Sequence, residues 1–425
     1  MIWTRLERNV GICVVVALLC TVGNAQEQGE SKVEQLEKKV EGLESQIKQL
    51  RDQQQQGQGE VDESLDEIDE QMLGLSRSIA DQRPGKRKFL VTGYAFSGFE
   101  NAEGEDSTFS AGFVPIFLWK LNDRLFIQGE AEFELEDDET HVELEYLQLS
   151  YILNDYMILS AGRFLNPANP FADRLHPAWI NKLPDAPLAF GAQRIMPFTQ
   201  LGVQLHGAVP LGSQKFNYTV YVSNGPTLEE DDTNYGALEE DNFTDANNSK
   251  AVGGRIGYFP LPELELGYSL ELSQVTASGS DVADADATIQ SVDLNYITSV
   301  AKGTLDLRAQ WAFSDVDNVT FDPTGAGGFG PASLNNERNG GYVQAAFRPS
   351  ELEGSILSDF EGVVRYDAVD LPSGAPEGTD ESRVTIGLNY WSSASSVFKL
   401  AYQFDDTDSP GEDSDALLLQ WAVGF

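Results

Sequence analysis

Leu264-Glu265-Leu266-Gly267-Tyr268-Ser269-Leu270-Glu271-Leu272-Ser273 alternates apolar with polar or small residues through ten positions. Side chains of an extended strand point to opposite faces with period two, so this run has one greasy face and one wet face. The same alternation sets Leu201, Val203 and Leu205 against Gln200, Gln204 and His206. It sets Leu305, Leu307, Trp311 and Phe313 against Asp306, Arg308 and Gln310, and Val384, Ile386, Leu388 and Tyr390 against Arg383, Thr385 and Asn389. Strand-like runs begin near Phe89, Thr108, Arg124, Thr140, Tyr156, Thr199, Lys215, Lys250, Glu263, Thr288, Gly303, Gly340, Phe360, Ser382, Val397 and Ala416, sixteen in all.

The connections separate a soluble sandwich from a membrane barrel. Every second one is short, as at Asn122-Asp123, Asn154-Asp155, Pro210 to Gln214, Phe259 to Pro262, Thr298 to Lys302 and Ser392 to Ser396, with Pro349 to Ser358 somewhat longer. The others are generally longer and acidic, including Pro226 to Ser249, Asp315 to Asn339 and Asp370 to Asp380. Such alternation puts short turns on the periplasmic rim and long loops outside. Tyr258, Phe259, Tyr390 and Trp391 fall near turns, where an interfacial girdle sits. The chain ends Trp421-Ala422-Val423-Gly424-Phe425, an alternating strand with an aromatic last residue, resembling the signal read by outer-membrane assembly machinery. The expected fold is all-β, a sixteen-stranded antiparallel transmembrane β-barrel over 88–425, preceded by an N-terminal α-helical coiled coil.

Upstream, Arg5 and Arg8 precede an apolar run from Gly11 to Val22, with Gly23 and Ala25 before a cut, so 1–25 reads as a signal peptide. Cys13 and Cys20 both lie in it, which leaves no thiol for metal, redox or disulfide work. Val33, Leu36, Val40, Leu43, Ile47 and Leu50 then step by alternating threes and fours, the seam of a coiled coil. After Gln53 to Gln56 and two glycines, Val61, Leu65, Ile68, Met72, Leu75 and Ile79 resume it. The segment 26–82 is therefore expected to be a periplasmic coiled coil, self-associating through 33–50. Its residues at the seam favour two strands, a preference that an attached trimeric body would override. An even number of strands returns both barrel ends to the periplasm. The net charge of −40 over 425 residues repels phosphate backbones and excludes nucleic acid as a partner.

If the apolar face meets outer-membrane lipid, the polar face lines a lumen wide enough for water. Lumen positions then include Arg163, Arg255, Arg308, Arg365, Arg383 and Lys399, and the carboxylates Glu130, Glu132, Glu134, Glu143, Glu145, Glu265, Glu271, Asp293, Asp306, Glu361 and Asp367. Carboxylates gather on the third and fourth strands and most basic residues come from the second half of the chain. Either the two sets oppose each other across a constriction or they pair between neighbouring strands. Leu165 to Phe198 is the longest connection; it carries six prolines, Arg174, His176, Lys182 and Arg194, and apolar Phe171, Leu175, Trp179, Ile180, Leu183 and Phe190. So apolar a loop is expected to pack inside the lumen, where Arg174, Lys182 and Arg194 would help choose the solute.

Gly162-Arg163-Phe164 before that Pro-rich segment, Leu201-Gly202-Val203-Gln204-Leu205-His206-Gly207 and Tyr221-Val222-Ser223-Asn224-Gly225 resemble the phosphate-selective porin (porin O/P-like) family, over about Phe89 to Phe425. The resemblance implies a sixteen-stranded barrel, often trimeric, with an inward-folded third external loop. Anion-selecting members carry rows of arginine, which Arg255, Arg308, Arg365 and Arg383 could supply here, and a lysine cluster at the mouth. The mouth loops of this chain are instead rich in carboxylates.

Gly325-Ala326-Gly327-Gly328-Phe329-Gly330 satisfies a dinucleotide fingerprint, but no helix follows, so it reads as a flexible loop. Asp406-Thr407-Asp408-Ser409-Pro410-Gly411 begins like a calcium loop but has Pro fifth and Leu417 in the position of the closing Glu. His141, His176 and His206 make no metal set, and a hydrolase would need a Ser or Asp placed beside one of them. The expected function is passive diffusion of small hydrophilic or charged solutes through an outer-membrane channel, without cofactor, metal or enzymatic activity. The alternative is a structural outer-membrane anchor tethering a periplasmic coiled coil.

Overall fold

A computed structural model describes residues 88–425, apart from 105, 137–138, 192–194, 240–242, 353, 377 and 409–413. Upstream it describes only Lys38, Lys39, Glu41, Gly42, Glu44, Ser45 and Lys48, all helical and exposed. The signal peptide, both seams of the expected coiled coil and Arg194 lie outside the described residues.

Sixteen antiparallel strands close into one barrel: β1 (Phe89–Ala102), β2 (Thr108–Lys120), β3 (Leu125–Glu136), β4 (Glu139–Asn154), β5 (Met157–Leu165), β6 (Thr199–Leu211), β7 (Gln214–Ser223), β10 (Ala251–Leu261), β11 (Leu264–Gln274), β12 (Asp286–Val300), β13 (Gly303–Val316), β14 (Glu337–Arg348), β15 (Phe360–Asp370), β16 (Glu381–Ser393), β17 (Ser396–Thr407) and β18 (Ala416–Gly424). A two-stranded ribbon, β8 (Thr227–Leu228) and β9 (Leu238–Glu239), lies in the connection between β7 and β10. Observed strand starts fall within three residues of the expected ones, the widest gap being Glu337 against Gly340, because polar Glu337-Arg338-Asn339 extends β14 without an apolar residue to mark it.

β1 and β18 close the ring in register from Tyr94 opposite Gly424 to Ala102 opposite Ala416. Phe425 is locked into this seam: its N–H donates to Gly93 O at 3.0 Å and its carbonyl accepts from Gly93 N at 3.2 Å. Its ring stacks on Phe113 at 5.6 Å. The aromatic last residue is therefore part of the closure.

Alternation sorts the side chains. On β11 Leu266, Tyr268 and Leu272 are exposed on the outside while Glu265, Ser269, Glu271 and Ser273 are buried. On β15 Val364 and Tyr366 face out while Glu361, Arg365 and Asp367 are buried. An outward band of Val, Leu, Ile and Phe is the surface that hydrocarbon covers. Aromatic pairs gather near the short-turn rim, with Phe216 on Tyr258 at 4.7 Å and Phe398 on Trp421 at 4.9 Å. No described helix is long and apolar enough to cross a membrane.

The long connections on the other rim are not simply solvated. Leu228, Val275, Val282, Val319, Phe321 and Leu334 come from three different loops and share one buried apolar cluster with Tyr235 and Phe329 packed on it. The glycine loop is held rather than flexible, because Asp322 accepts hydrogen bonds from the N–H groups of Gly327 at 3.1 Å and Gly330 at 3.0 Å.

Candidate functional site

The site begins where β5 loses its alternation. Gly162 has φ +128°, and a Cβ there would fall 2.1 Å from Leu147 O, so only glycine fits. After it, Arg163, Phe164 and Leu165 are all buried, and the chain turns into the long connection. Asn166 ties the neck: its N–H donates to Phe198 O at 2.9 Å and its amide to Pro197 O at 2.9 Å.

The connection packs against inward-facing wall residues, because its apolar side chains find apolar partners there. Phe171, in a π-helical turn (Phe171–Leu175), and Phe190, in a short α-helical turn (Leu188–Gly191), both meet the ring of Tyr342 edge-on, at 6.3 and 6.0 Å. Trp179 packs with Tyr94, Val114, Val397 and Ala422. Leu183 packs with Ala346, Val363, Ala401 and Leu418.

Polar contacts pin the same loop. Lys182 Nζ lies 2.7 Å from Glu361 Oε1, and Asn389 donates to Lys182 O at 2.8 Å. Arg365 reaches Asp185 Oδ2 at 2.6 Å and Asp367 Oδ2 at 2.7 Å. Lys399 donates to the carbonyls of Ala178 and Leu183 and to Gln420 Oε1. Gln310 accepts from Phe171 N–H at 3.0 Å. Asp185, Gln310 and Gln420 are the anchors that sequence reasoning did not single out. Gln310 had a signal in the alternation of β13; Asp185, in a non-periodic loop, had none.

The basic residues expected in the lumen are engaged one by one. Arg255 pairs with Glu265 at 3.0 Å and Asp293 at 2.6 Å, Arg308 with Asp306 at 2.7 Å, and Arg383 with Asp405 at 2.5 Å. Arg163 pairs with Glu143 at 2.7 Å and lies 4.9 Å from the Phe243 ring centre. Arg174, in the loop, reaches Glu265 at 2.8 Å. The four arginines that could form a solute-facing row therefore each end on a carboxylate. A buried carboxylate strongly favours a partner, so wall residues such as Glu265 and Glu361 hold the nearest cation.

The carboxylates of β3 and β4 are placed differently. They border a cavity of about 490 Å³ lined by Glu100, Glu132, Glu134, Glu143, Glu145 and Asp185, with Arg163 and His176 as its basic lining residues. Phe96, Phe171 and Phe198 are among its other lining residues. Two of the lining residues reach Glu130, Tyr94 Oη at 3.4 Å and His176 Nε2 at 3.6 Å. His206 lies apart from this cavity, 3.1 Å from Ser160 Oγ, a fully buried hydroxyl that also meets Ser150 at 2.7 Å. The described residues hold no cluster of three or more His, Cys, Asp or Glu able to bind a metal.

The fold is that of the outer-membrane porins. The outer-membrane channel DcaP of Acinetobacter baumannii superposes with a TM-score of 0.53 at 11% identity, covering 79% of this chain and 97% of that one. OmpF of Salmonella typhi, in complex with daunomycin, gives 0.52 at 14% identity with the same coverage, 79% and 97%. The anion-selective porin from Comamonas acidovorans gives 0.51 at 12% identity, covering 79% and 99%. No family model and no curated protein matches the chain. Within this porin fold, the loop between β5 and β6 packs on inward-facing residues of β1, β2, β7, β12 to β15, β17 and β18, and a cavity bordered by residues of β1 to β5 and β18 remains beside it.

Proposed function

We propose that the protein is a bacterial outer-membrane porin for passive diffusion of small hydrophilic or charged solutes. One observation carries the reading: a closed barrel, apolar outside and charged inside, holds a loop pinned across part of its lumen and keeps a carboxylate-lined cavity beside it. Nothing in that arrangement needs a cofactor, since the barrier to a polar solute is loss of hydration and a wet charged wall supplies the substitute. The lumen residues Arg163, Arg174, Lys182, Arg255, Arg308, Arg365, Arg383, Lys399, Glu130 and Glu132 set selectivity, the basic ones by fixing the loop and cancelling wall charge.

The motifs near Arg163, His206 and Ser223 support placing the chain beside the phosphate-selective porins, although pairing of the arginines argues against phosphate as solute. The heptads at 33–50 support self-association, with 26–82 in the periplasm, and the trimeric barrel that the resemblance implies would make the assembly a homotrimer. Purified folded protein in planar bilayers should give stepwise conductance; folded protein that never conducts would sink the proposal. The density of loop packing favours one other reading, a plugged barrel anchoring the coiled coil. Deleting 27–80 would then damage envelope integrity and leave solute uptake intact.

A further inference from the structure

The cavity between the loop and strands β1 to β4 is unusual in what its charges meet. Arg163 is engaged by Glu143 at 2.7 Å, and His176 lies 3.6 Å from Glu130. Asp185 is engaged by Arg365 and Arg383. Glu132 and Glu145 make no ion pair among the described residues, yet both line the cavity. Glu145 is only 7% exposed and takes no hydrogen bond from any described residue. Burial without a donor disfavours the charged form, so a carboxyl placed like this ionises when a cation arrives beside it.

The rest of the lining selects the partner's shape. Phe96, Phe171 and Phe198 line the same space. Ring faces attract a cation that has shed part of its water, and they also cover an apolar stem. A strongly hydrated divalent ion gains little from them. We propose that this cavity binds organic cations, a monovalent ammonium or guanidinium on an apolar stem, with Glu132 and Glu145 as the charge acceptors. As a property of transport the inference rests on the porin reading; as a binding site it stands without it.

Benzylammonium and benzoate make a matched pair of probes. Calorimetric titration of the folded full-length chain in detergent should show benzylammonium binding and no benzoate binding. Glu145→Gln should weaken it by about fivefold or more in Kd, with Glu132→Gln as an independent variant, and Glu263→Gln on an exposed short turn should leave it unchanged. In bilayers, benzylammonium should permeate about tenfold better than benzoate. Benzylammonium binding without any single-channel current would remove the porin reading and keep the site. Benzoate binding at least as well, or unchanged affinity in both glutamate variants, would overturn the site even in a conducting channel.

Discussion

Lys182 Nζ sits 2.7 Å from Glu361 Oε1, joining positions 179 residues apart and fixing the loop to the wall at β15. Glu361 is 5% exposed on its side chain and Lys182 15%, so water screens the pair little. Removing the lysine leaves Glu361 with the neutral donors Asn389 and Trp391, each at 3.2 Å. Lys182→Met should therefore cost about 3 kcal/mol, the scale for breaking a buried pair from one side. Adding Glu361→Gln should recover much of it. Urea unfolding followed by the gel shift of folded barrel checks both, and a single variant within about 0.5 kcal/mol of the parent would show that the contact does not hold the loop.

Arg365 makes a stricter case, being fully buried with Asp367 on its Nε and Asp185 on its Nη2. It also donates to the backbone carbonyls of Asp185 and Ala186 at 3.1 and 3.2 Å. A lysine ammonium cannot span that fork. Arg365→Lys should lose about 2 kcal/mol or more despite keeping the charge, and loosen the loop. Increased open-channel current noise relative to the parent is the signature to measure, and an unchanged trace would count against this role.

How far the sequence carried depended on whether a feature was periodic. Strand positions repeat every two residues, so Arg255, Arg308 and Arg365 could be assigned to the inner face from their neighbours alone. What those arginines touch was legible only in part: Arg308 reaches Asp306 and Arg365 reaches Asp367 two residues along their own strands, but Arg255 reaches Glu265 and Asp293 on other strands and Arg365 also reaches a loop residue 180 positions away. Apolar Phe171, Trp179 and Leu183 in a Pro-rich segment signalled that the loop needs cover, yet did not say that Trp179 would lean on β1, β2, β17 and β18, that Leu183 would lean on β14, β15, β17 and β18, or that a carboxylate-lined cavity would remain beside them. The external cluster around Phe321 was hidden for a related reason: its members are isolated apolar residues in acidic loops, visible as a set only after the barrel brings the loops together.

Ile256 lies midway along β10, exposed on the outer face. A lipid-facing arginine at the bilayer midplane costs about 2–4 kcal/mol, so Ile256→Arg should destabilise folding into vesicles by that amount. Asp284→Arg, in an exposed long-rim loop, should stay within about 0.5 kcal/mol. Equal costs at the two positions would contradict a hydrocarbon surface over Ile256.

Asp322 carries a pH dependence whose sign follows from its contacts. Desolvation, the largest single influence, raises its pKa, but the backbone N–H groups of Gly327, Gly330, Ala326 and Gly328 together outweigh it and hold it below the ordinary carboxylate range. A carboxyl depressed on folding contributes order that is full above its unfolded value, about 3.9, and lost as pH falls through the folded value. Protection of the Gly327 and Gly330 amides from exchange, corrected for intrinsic rate, should persist through pH 5 and collapse only below that window. Asp322→Ala should abolish it at every pH.

Phe321 tests whether the outer loops form a unit separate from the barrel. It is 1% exposed, with Tyr235 against it at 5.2 Å and its backbone bridged to Ala332. Phe321→Ala removes a large side chain from a buried cluster, a change of about 3–5 kcal/mol where the cluster is part of the cooperative core. This cluster draws on loops rather than barrel hydrogen bonding, so the loss should appear as local opening. Protease should nick the 317–336 connection faster in the variant, while the urea midpoint of the barrel shifts little. A fall in that midpoint matching the full cavity cost would instead show that the external cluster and the barrel unfold together.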